Sequence, residues 1–369
     1  MRIAIERSAS FIGRSLPLLF RRHRRDTRAA PCYARHVTLD PKPRNIVVAT
    51  HGHCFDGLSS AVLFTRLLQH VEPGSKLSFR YHASGYGPGQ NGVDPKLLNG
   101  DENAILDFRF SPAESLTWYF DHHVSAFPGD ADRRIYEARV AAAGGSAARR
   151  MFHDGAYSSC TKLIADVGRD LFGLDPAPTA ELVRWADMID SASFPTAEMA
   201  VLRKEPVLQL MTVVEHKGGD AFLGAMVPRL LAEPVEEVAR AADVQAAYAP
   251  LRTSHEAFVR LVETRAREAG GVVTVDLSDE LIDVAGKFVT YALYPTSAYS
   301  VLLTRSKTKC KISIGYNPWS NRERRHNIAA ICERYGGGGH PVVGAISIAA
   351  DDVARARQIM NDVATELAT

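Results

Sequence analysis

The sequence predicts an α/β fold, and three observations carry that expectation. Ile46–Thr50 is a short β-rich run that passes through a polar turn into Leu58–Val71, where apolar residues recur at helical spacing. Leu77–His82, Ala104–Leu106 and Leu116–Phe120 are further short apolar runs of strand character. Three of the four runs are followed directly by carboxylates, imidazoles or a thiol, and open α/β sheets hold their ligands outside the carboxyl ends of strands.

Taken in order, the first run is followed by His51-Gly52-His53-Cys54-Phe55-Asp56-Gly57. This turn offers two histidines, a thiol and a carboxylate. Gly57 lets the chain bend sharply into the helix. Asp56 also suits a helix cap, a role that accounts for neither His51 nor Cys54. Gly85–Gly92 is a Gly/Pro loop with no Lys followed by Ser or Thr, which excludes a P-loop. Ala104–Leu106 ends in Asp107, and Leu116–Phe120 ends in Asp121-His122-His123. Carboxylate and imidazole together suit divalent manganese or iron. Ser158–Phe172 and Thr179–Ile189 read as helices with Ser158 and Thr179 at their N-caps. Trp185–Asp190 sets Asp187 and Asp190 three residues apart, on one helical face or at the helix end. Glu205–Leu231 supplies further helices. Pro234–Arg267, charged and Ala-rich, reads as a connector broken by Pro250.

In the second half, Val272–Val275, Tyr299–Thr304, Cys310–Ile314 and Val342–Ile348 read as strands. Asn327–Tyr335 and Asp351–Ala368 read as helices. Between a helix and a strand lies Gly336-Gly337-Gly338-Gly339-His340-Pro341. Its glycines free backbone N–H groups to face an anion, and His340 adds a donor. Upstream, Asn317–Trp319 and Arg322–Arg325 set an aromatic face beside cations, an arrangement suited to a stacked base and its phosphates or to an ordinary surface loop.

The 369 residues suffice for two or three domains. With 44 basic and 42 acidic residues, bulk charge does not hold this chain to nucleic acid, although a local basic groove is compatible with that balance. Five scattered cysteines, odd in number and without a CxxC, favour a reducing compartment. No apolar stretch has the length of a membrane span. Residues 1–44 carry ten arginines and three acids and read as a disordered basic leader, with a mitochondrial transit peptide as the alternative.

Together, His51-x-x-Cys54-x-Asp56-Gly57, Ile105-Leu106-Asp107, Asp121-His122-His123, Asp187 and the Gly336–Pro341 loop resemble the DHH phosphoesterase superfamily over about residues 45–350. RecJ-type exonucleases, nano-RNA and pAp phosphatases, cyclic-dinucleotide phosphodiesterases, exopolyphosphatases and family II pyrophosphatases belong to it. The Gly336–Pro341 loop is similar to the GGGHP signature of the DHH-associated C-terminal domain. The resemblance implies a catalytic domain at 45–233 with a mainly parallel sheet flanked by helices, a helical connector at 234–269, and a smaller C-terminal α/β domain at 270–369. It places the active site in the cleft between the domains.

The resemblance also implies two divalent cations, usually manganese, with magnesium or cobalt as substitutes. His51, Cys54, Asp56, Asp107, His122 and Asp187 match metal positions, with Asp107 bridging. His123 matches a group facing the substrate phosphate, so that His123 and Asp107 are the expected catalytic residues. Gly337, Gly338, Gly339 and His340, with Arg322 and Trp319, are the expected substrate contacts. Many members have Asp where this chain has Cys54, which leaves the first metal position open to a softer ion or a water.

The expected function is two-metal hydrolysis of phosphodiester or phosphomonoester bonds in small nucleotides or short single-stranded oligonucleotides. The expected setting is a cytoplasmic enzyme, with a homodimer as one assembly open to it. The alternatives are a polyphosphatase or pyrophosphatase, and a non-catalytic nucleotide-binding module with a degenerate metal site. A structural zinc site from His51, His53, Cys54 and His122 is a weaker option that leaves Asp107 without a purpose.

Overall fold

The computed structural model describes residues 42–86, 92–144, 150–282, 286 and 288–369. The expected basic leader, apart from residues 42–44, and most of the Gly85–Gly92 loop lie outside the described residues.

The first lobe is built on five strands: β1 (Arg44–His51), β2 (Leu77–Ser84), β3 (Glu102–Leu106), β4 (Trp118–Asp121) and β5 (Met151–His153). They lie in the order β2-β1-β3-β4-β5 and every pairing is parallel. The strands read as near-continuous apolar runs because both faces are covered; every residue of β3 and β4 is buried. A parallel sheet puts all its carboxyl ends on one rim. His51, Asp107, Asp121 to His123, and His153 therefore share one edge of the lobe.

Helix α1 (Phe55–Val71) runs through the centre of the lobe, with Leu58, Ala61, Val62, Leu63, Phe64, Leu67 and Leu68 fully buried. Two of its buried hydroxyls find partners inside: Thr65 Oγ1 donates to the Ala61 carbonyl at 2.7 Å and stands 2.8 Å from the Tyr81 hydroxyl, and Ser60 Oγ lies 3.2 Å from Thr161 Oγ1. Against it pack α3 (Cys160–Phe172), α4 (Ala180–Asp190), α6 (Pro206–Lys217) and α7 (Asp220–Ala232); α2 (Asp130–Ala142) joins a separate core with Phe110 and Tyr119, and α5 (Ala197–Leu202) and α8 (Val235–Arg240) complete the lobe. Ser159 caps α3 through the Lys162 amide, one residue later than the expected Ser158. Thr179 precedes α4 without a side-chain cap bond.

Helix α9 (Ala242–Arg265) leads into the second lobe. The sequence suggests a break at Pro250, yet the helix runs through it. The hydrogen bond that Pro250 cannot make would have ended on the carbonyl of Ala246; both residues are exposed, so water takes the freed acceptor.

The second lobe is a mixed sheet of β6 (Ala266–Ala269), β7 (Val272–Leu281), β8 (Tyr299–Arg305), β9 (Lys309–Tyr316), β10 (Gly338–His340) and β11 (Val343–Ala349), in the order β10-β11-β9-β8-β7-β6. Helices α10 (Val289–Leu293) and α11 (Ile328–Glu333) flank it. Helix α12 (Val353–Leu367) buries Ala356, Ile359, Met360, Val363 and Leu367 in the core formed by Val301, Leu303, Ile312 and Ile314. The lobes meet where the Trp319 indole N–H donates to the Phe194 carbonyl at 2.8 Å, with the Phe288 ring 5.5 Å from the indole.

Candidate metal centre

The turn after β1 is pinned from two sides. Gly52 N–H donates to the Ser84 carbonyl at 2.7 Å, and His53 N–H donates to the Gly218 carbonyl at 3.1 Å. At Gly57 the reason for glycine is close approach: a Cβ there would lie 2.0 Å from the His51 carbonyl oxygen. Asp56 caps a helix, but not its own. Its buried carboxylate accepts from the amides of Cys160 (2.8 Å) and Thr161 (3.0 Å) at the start of α3. That bond fixes Asp56 at the junction of two helices and the sheet rim.

Asp107 follows β3 with φ of 53°, a left-handed conformation that costs a non-glycine residue energy and recurs at functional positions. The conformation turns its carboxylate into the rim. There it is 1% exposed, and among the described residues neither oxygen has a hydrogen-bond partner. Imidazoles surround it at ion-pair distance: His51 Nδ1 at 3.6 Å, His122 Nε2 at 3.5 Å and His123 Nδ1 at 3.7 Å.

The three residues ending β4 divide the work. Asp121 is fully buried and accepts from the Tyr119 hydroxyl (3.0 Å), the His122 amide (2.9 Å) and His123 Nδ1 (2.7 Å). A carboxylate can only accept here, so His123 carries its proton on Nδ1 and leaves Nε2 open. His122 Nδ1 faces the Tyr157 carbonyl at 3.1 Å and must donate to it. Its Nε2 is then the free position of the ring, buried with no hydrogen-bond partner among the described residues and aimed at Asp107, open to a proton or to a cation. His153 Nε2 donates to the His123 carbonyl at 2.9 Å and braces the same loop.

The structure brings Asp190, not the expected Asp187, to this cluster. Asp190 Oδ2 lies 3.3 Å from His122 Nε2. Asp187 is engaged elsewhere, with the hydroxyls of Ser158 and Ser159 and with Lys162 Nζ at 3.3 Å. The two side chains are three residues apart on α4, about 60° around the helix, so packing against α3 takes one and the rim takes the other.

Three trios of ligand atoms result, each with its atoms within 4.8 Å of one another: His51, Cys54 and Asp107; Asp107, His122 and His123; Asp56, His122 and Asp190. Asp107 belongs to two of them. The electrostatics call for a cation. Burial pushes the Asp56 carboxyl well up, and Asp107 and Asp190 add to the shift. Burial and Asp107 push Asp190 up to about 6. Burial disfavours a charged His122, but Asp107, Asp56 and Asp190 outweigh it and push the imidazole up to about 9. Burial would also raise Asp107, yet the facing His122 and His51 hold it below the usual carboxylate value. Burial, Asp107 and Asp56 push the Cys54 thiol well up. Protons hold this cluster together, and divalent cations fit the same unpartnered atoms.

The expected substrate residues lie in other surroundings. Gly338 to His340 form β10, paired with β11 through Gly338↔Ala345, Gly339↔Gly344 and His340↔Val343, and His340 is exposed. The loop is thus fixed as an edge hairpin. A Cβ on Gly337 would lie 2.3 Å from the Ala345 carbonyl oxygen, which explains glycine there. Arg322 is exposed, with its guanidinium against Gly271. Trp319 is half-buried in the joint between the lobes: its N–H is bound to the Phe194 carbonyl, and its ring meets Phe288 edge-on at 5.5 Å and Tyr291 at 6.2 Å.

Sequence reasoning missed Asp121 as the holder of His123. It also missed Tyr86, an exposed ring at the end of β2 that lies 5.7 Å edge-on from His51. Asp121 stands in the Asp121-His122-His123 motif, which does not say what its carboxylate holds, and no motif marks Tyr86.

No protein-family model and no curated protein matches the sequence. Among solved structures, the pGpG-specific phosphodiesterase PggH from Vibrio cholerae superposes with a TM-score of 0.60 at 19% identity, over 88% of this chain and 99% of that one. The chain has the PggH fold. Manganese-bound RecJ from Thermus thermophilus matches over 88% of this chain and 52% of its own, at 11% identity and a TM-score of 0.48. An exopolyphosphatase-related protein from Bacteroides fragilis matches over 88% and 94%, at 11% identity and a TM-score of 0.44. The likeness to PggH is one of fold, and it takes in most of both lobes.

Proposed function

We propose that the chain is a DHH-superfamily phosphoesterase that uses two divalent cations, manganese first among them, to hydrolyse phosphoester bonds of small nucleotides or short oligonucleotides. The observation that carries this reading is the unpartnered, buried carboxylate of Asp107, shared by two trios of ligand atoms at the rim of a parallel sheet. In this reading His51, Cys54 and Asp107 hold one ion, and Asp56, Asp107, His122 and Asp190 hold the other. Bound cations would supply positive charge for phosphoryl oxygens and make water acidic enough to react near neutral pH.

The chain's own groups complete the chemistry. Asp121 keeps Nδ1 of His123 protonated and raises the affinity of the ring for a second proton. His123 Nε2–H is thereby poised to donate to a phosphoryl oxygen or to give its proton to the leaving group. Tyr157 and Asp56's amide partners hold the ligand side chains in place before any ion arrives, which reduces the ordering cost of binding. In the second lobe, His340 and the cations at Arg322, Arg324 and Arg325 suit the remaining phosphates of a substrate. PggH is a pGpG-specific phosphodiesterase, and a short nucleotide is accordingly the first substrate class to try.

The test is a manganese-supplemented hydrolysis assay on pGpG, pAp, short oligoribonucleotides and polyphosphate, paired with metal analysis of the purified protein. Hydrolysis of a nucleotide substrate that stops on chelation and returns with manganese is the expected result. A metal-replete protein that cleaves none of these substrates overturns the enzymatic reading.

A further inference from the structure

Tyr86 belongs to none of the ligand trios, yet it stands at their mouth. It follows β2 at the carboxyl rim of the sheet and is 49% exposed. Its position is nevertheless fixed. The ring rests on the fully buried Phe108 with centroids 4.6 Å apart, and meets His51 at 5.7 Å with planes at 72°. The Arg109 guanidinium lies 5.0 Å from its centroid, within cation–π range. Phe108 and Arg109 are the two residues after Asp107, so the wall and the shared metal ligand come from one stretch of chain.

The fold seats the ring against Phe108 and leaves half of it in water beside His51. We propose that Tyr86, with Arg109, is the contact for the nucleobase attached to the scissile phosphate, and so the feature that selects nucleotides over polyphosphate. This rests on the phosphoesterase reading above. An aromatic ring accepts any base by stacking, and the adjacent cation suits both its π face and the neighbouring phosphate. Inorganic polyphosphate, which has no base, draws nothing from the ring and can meet only the cation.

The experiment compares Tyr86→Ala and Tyr86→Phe on two substrates with the same scissile bond: a diribonucleotide, and its abasic analogue. Stacking that is equal in ground and transition states appears in KM and not in kcat. Tyr86→Ala should raise KM for the diribonucleotide by about tenfold more than for the abasic analogue, while Tyr86→Phe stays within about twofold of wild type on both. Equal changes on the two substrates, or none, overturn the proposal. Equilibrium binding of a fluorescently labelled dinucleotide to the wild type and both variants separates the two readings. If the wild type cleaves nothing but Tyr86→Ala binds the dinucleotide about tenfold more weakly, the enzymatic reading falls and the base contact stands. Unchanged binding in Tyr86→Ala sinks the base contact whatever the activity.

Discussion

The rim of the first sheet and the edge of the second are opposites in physical chemistry, although both carry motifs of histidine and glycine or carboxylate. At the rim, charged groups are buried, Asp107 is in a left-handed conformation, and two ligand groups lack partners among the described residues. At the edge, Gly338 to His340 are exposed and take part in the β-ladder with β11. Unmet bonding capacity in a dry place implies an ion. A satisfied, exposed hairpin with glycines at crowded positions implies a surface presented to something that arrives later. The difference teaches that motif content alone does not separate catalytic from docking residues, whereas burial and bonding do.

The sharpest way to break that contrast is to remove the shared carboxylate. Asp107→Asn should lower manganese-dependent hydrolysis by about a thousandfold or more, with the far-UV circular dichroism of the wild type retained. Activity within about tenfold of wild type would mean that the two ligand trios do not meet at Asp107.

Next in size is the pair on α4. Asp190→Asn should cost about a hundredfold in activity, and Asp187→Asn less than about threefold, because the first faces His122 and the second faces Ser158, Ser159 and Lys162. Steady-state rates at saturating manganese read this directly. The reverse order would restore the assignment made from sequence.

The pair also shows what was legible in the sequence. The α/β class and the strand-end clusters were readable because a parallel sheet needs long apolar runs, and such runs place whatever follows them on one rim. His51, Cys54, Asp56, Asp107, His122 and His123 all came from that rule. The choice of Asp190 was not readable, since two positions one turn apart share a pattern and only packing against α3 decides between them. The lobe contact of Trp319 was unreadable for a similar reason: its partner, Phe194, is 125 positions away in the chain. Tyr86 has no motif, because one ring at the end of a strand looks like any other until its neighbours are known.

A third expected effect concerns pH and metal. His122 goes from an ordinary value of 6.5 to about 9 in the folded state. The folded protein holds this proton more tightly than the unfolded chain, so the contribution is full below about pH 6.5 and fades as pH rises through 9. Asp190, raised to about 6, acts in the same direction at lower pH, since its protonated form is the favoured one. Metal-free protein should therefore melt several degrees lower at pH 9 than at pH 6. Manganese should restore more of that loss at high pH, where the ligands are already deprotonated. A melting temperature of the chelated protein that rises from pH 6 to 9 would contradict the proton-held cluster.

The smallest expected effect lies at the exposed edge. His340 sits on β10 with its side chain in solvent, so His340→Ala removes no buried contact and should leave the melting temperature within about a degree of wild type. If the hairpin meets substrate phosphate, the loss is one hydrogen-bond donor to an anion, which is worth a KM increase of about tenfold or somewhat more. The hydrogen bond would form equally with substrate and transition state, so kcat should change little. Gly337→Ala is the companion measurement. Its new Cβ meets the Ala345 carbonyl oxygen and forces the hairpin off β11, so it should raise KM together with a measurable loss of stability. A KM rise in His340→Ala with no thermal change, beside a rise in Gly337→Ala that comes with one, separates a residue that touches the phosphate from a residue that shapes the hairpin holding it. No change in KM for either variant would confine substrate binding to the first lobe and leave the hairpin without a part in it.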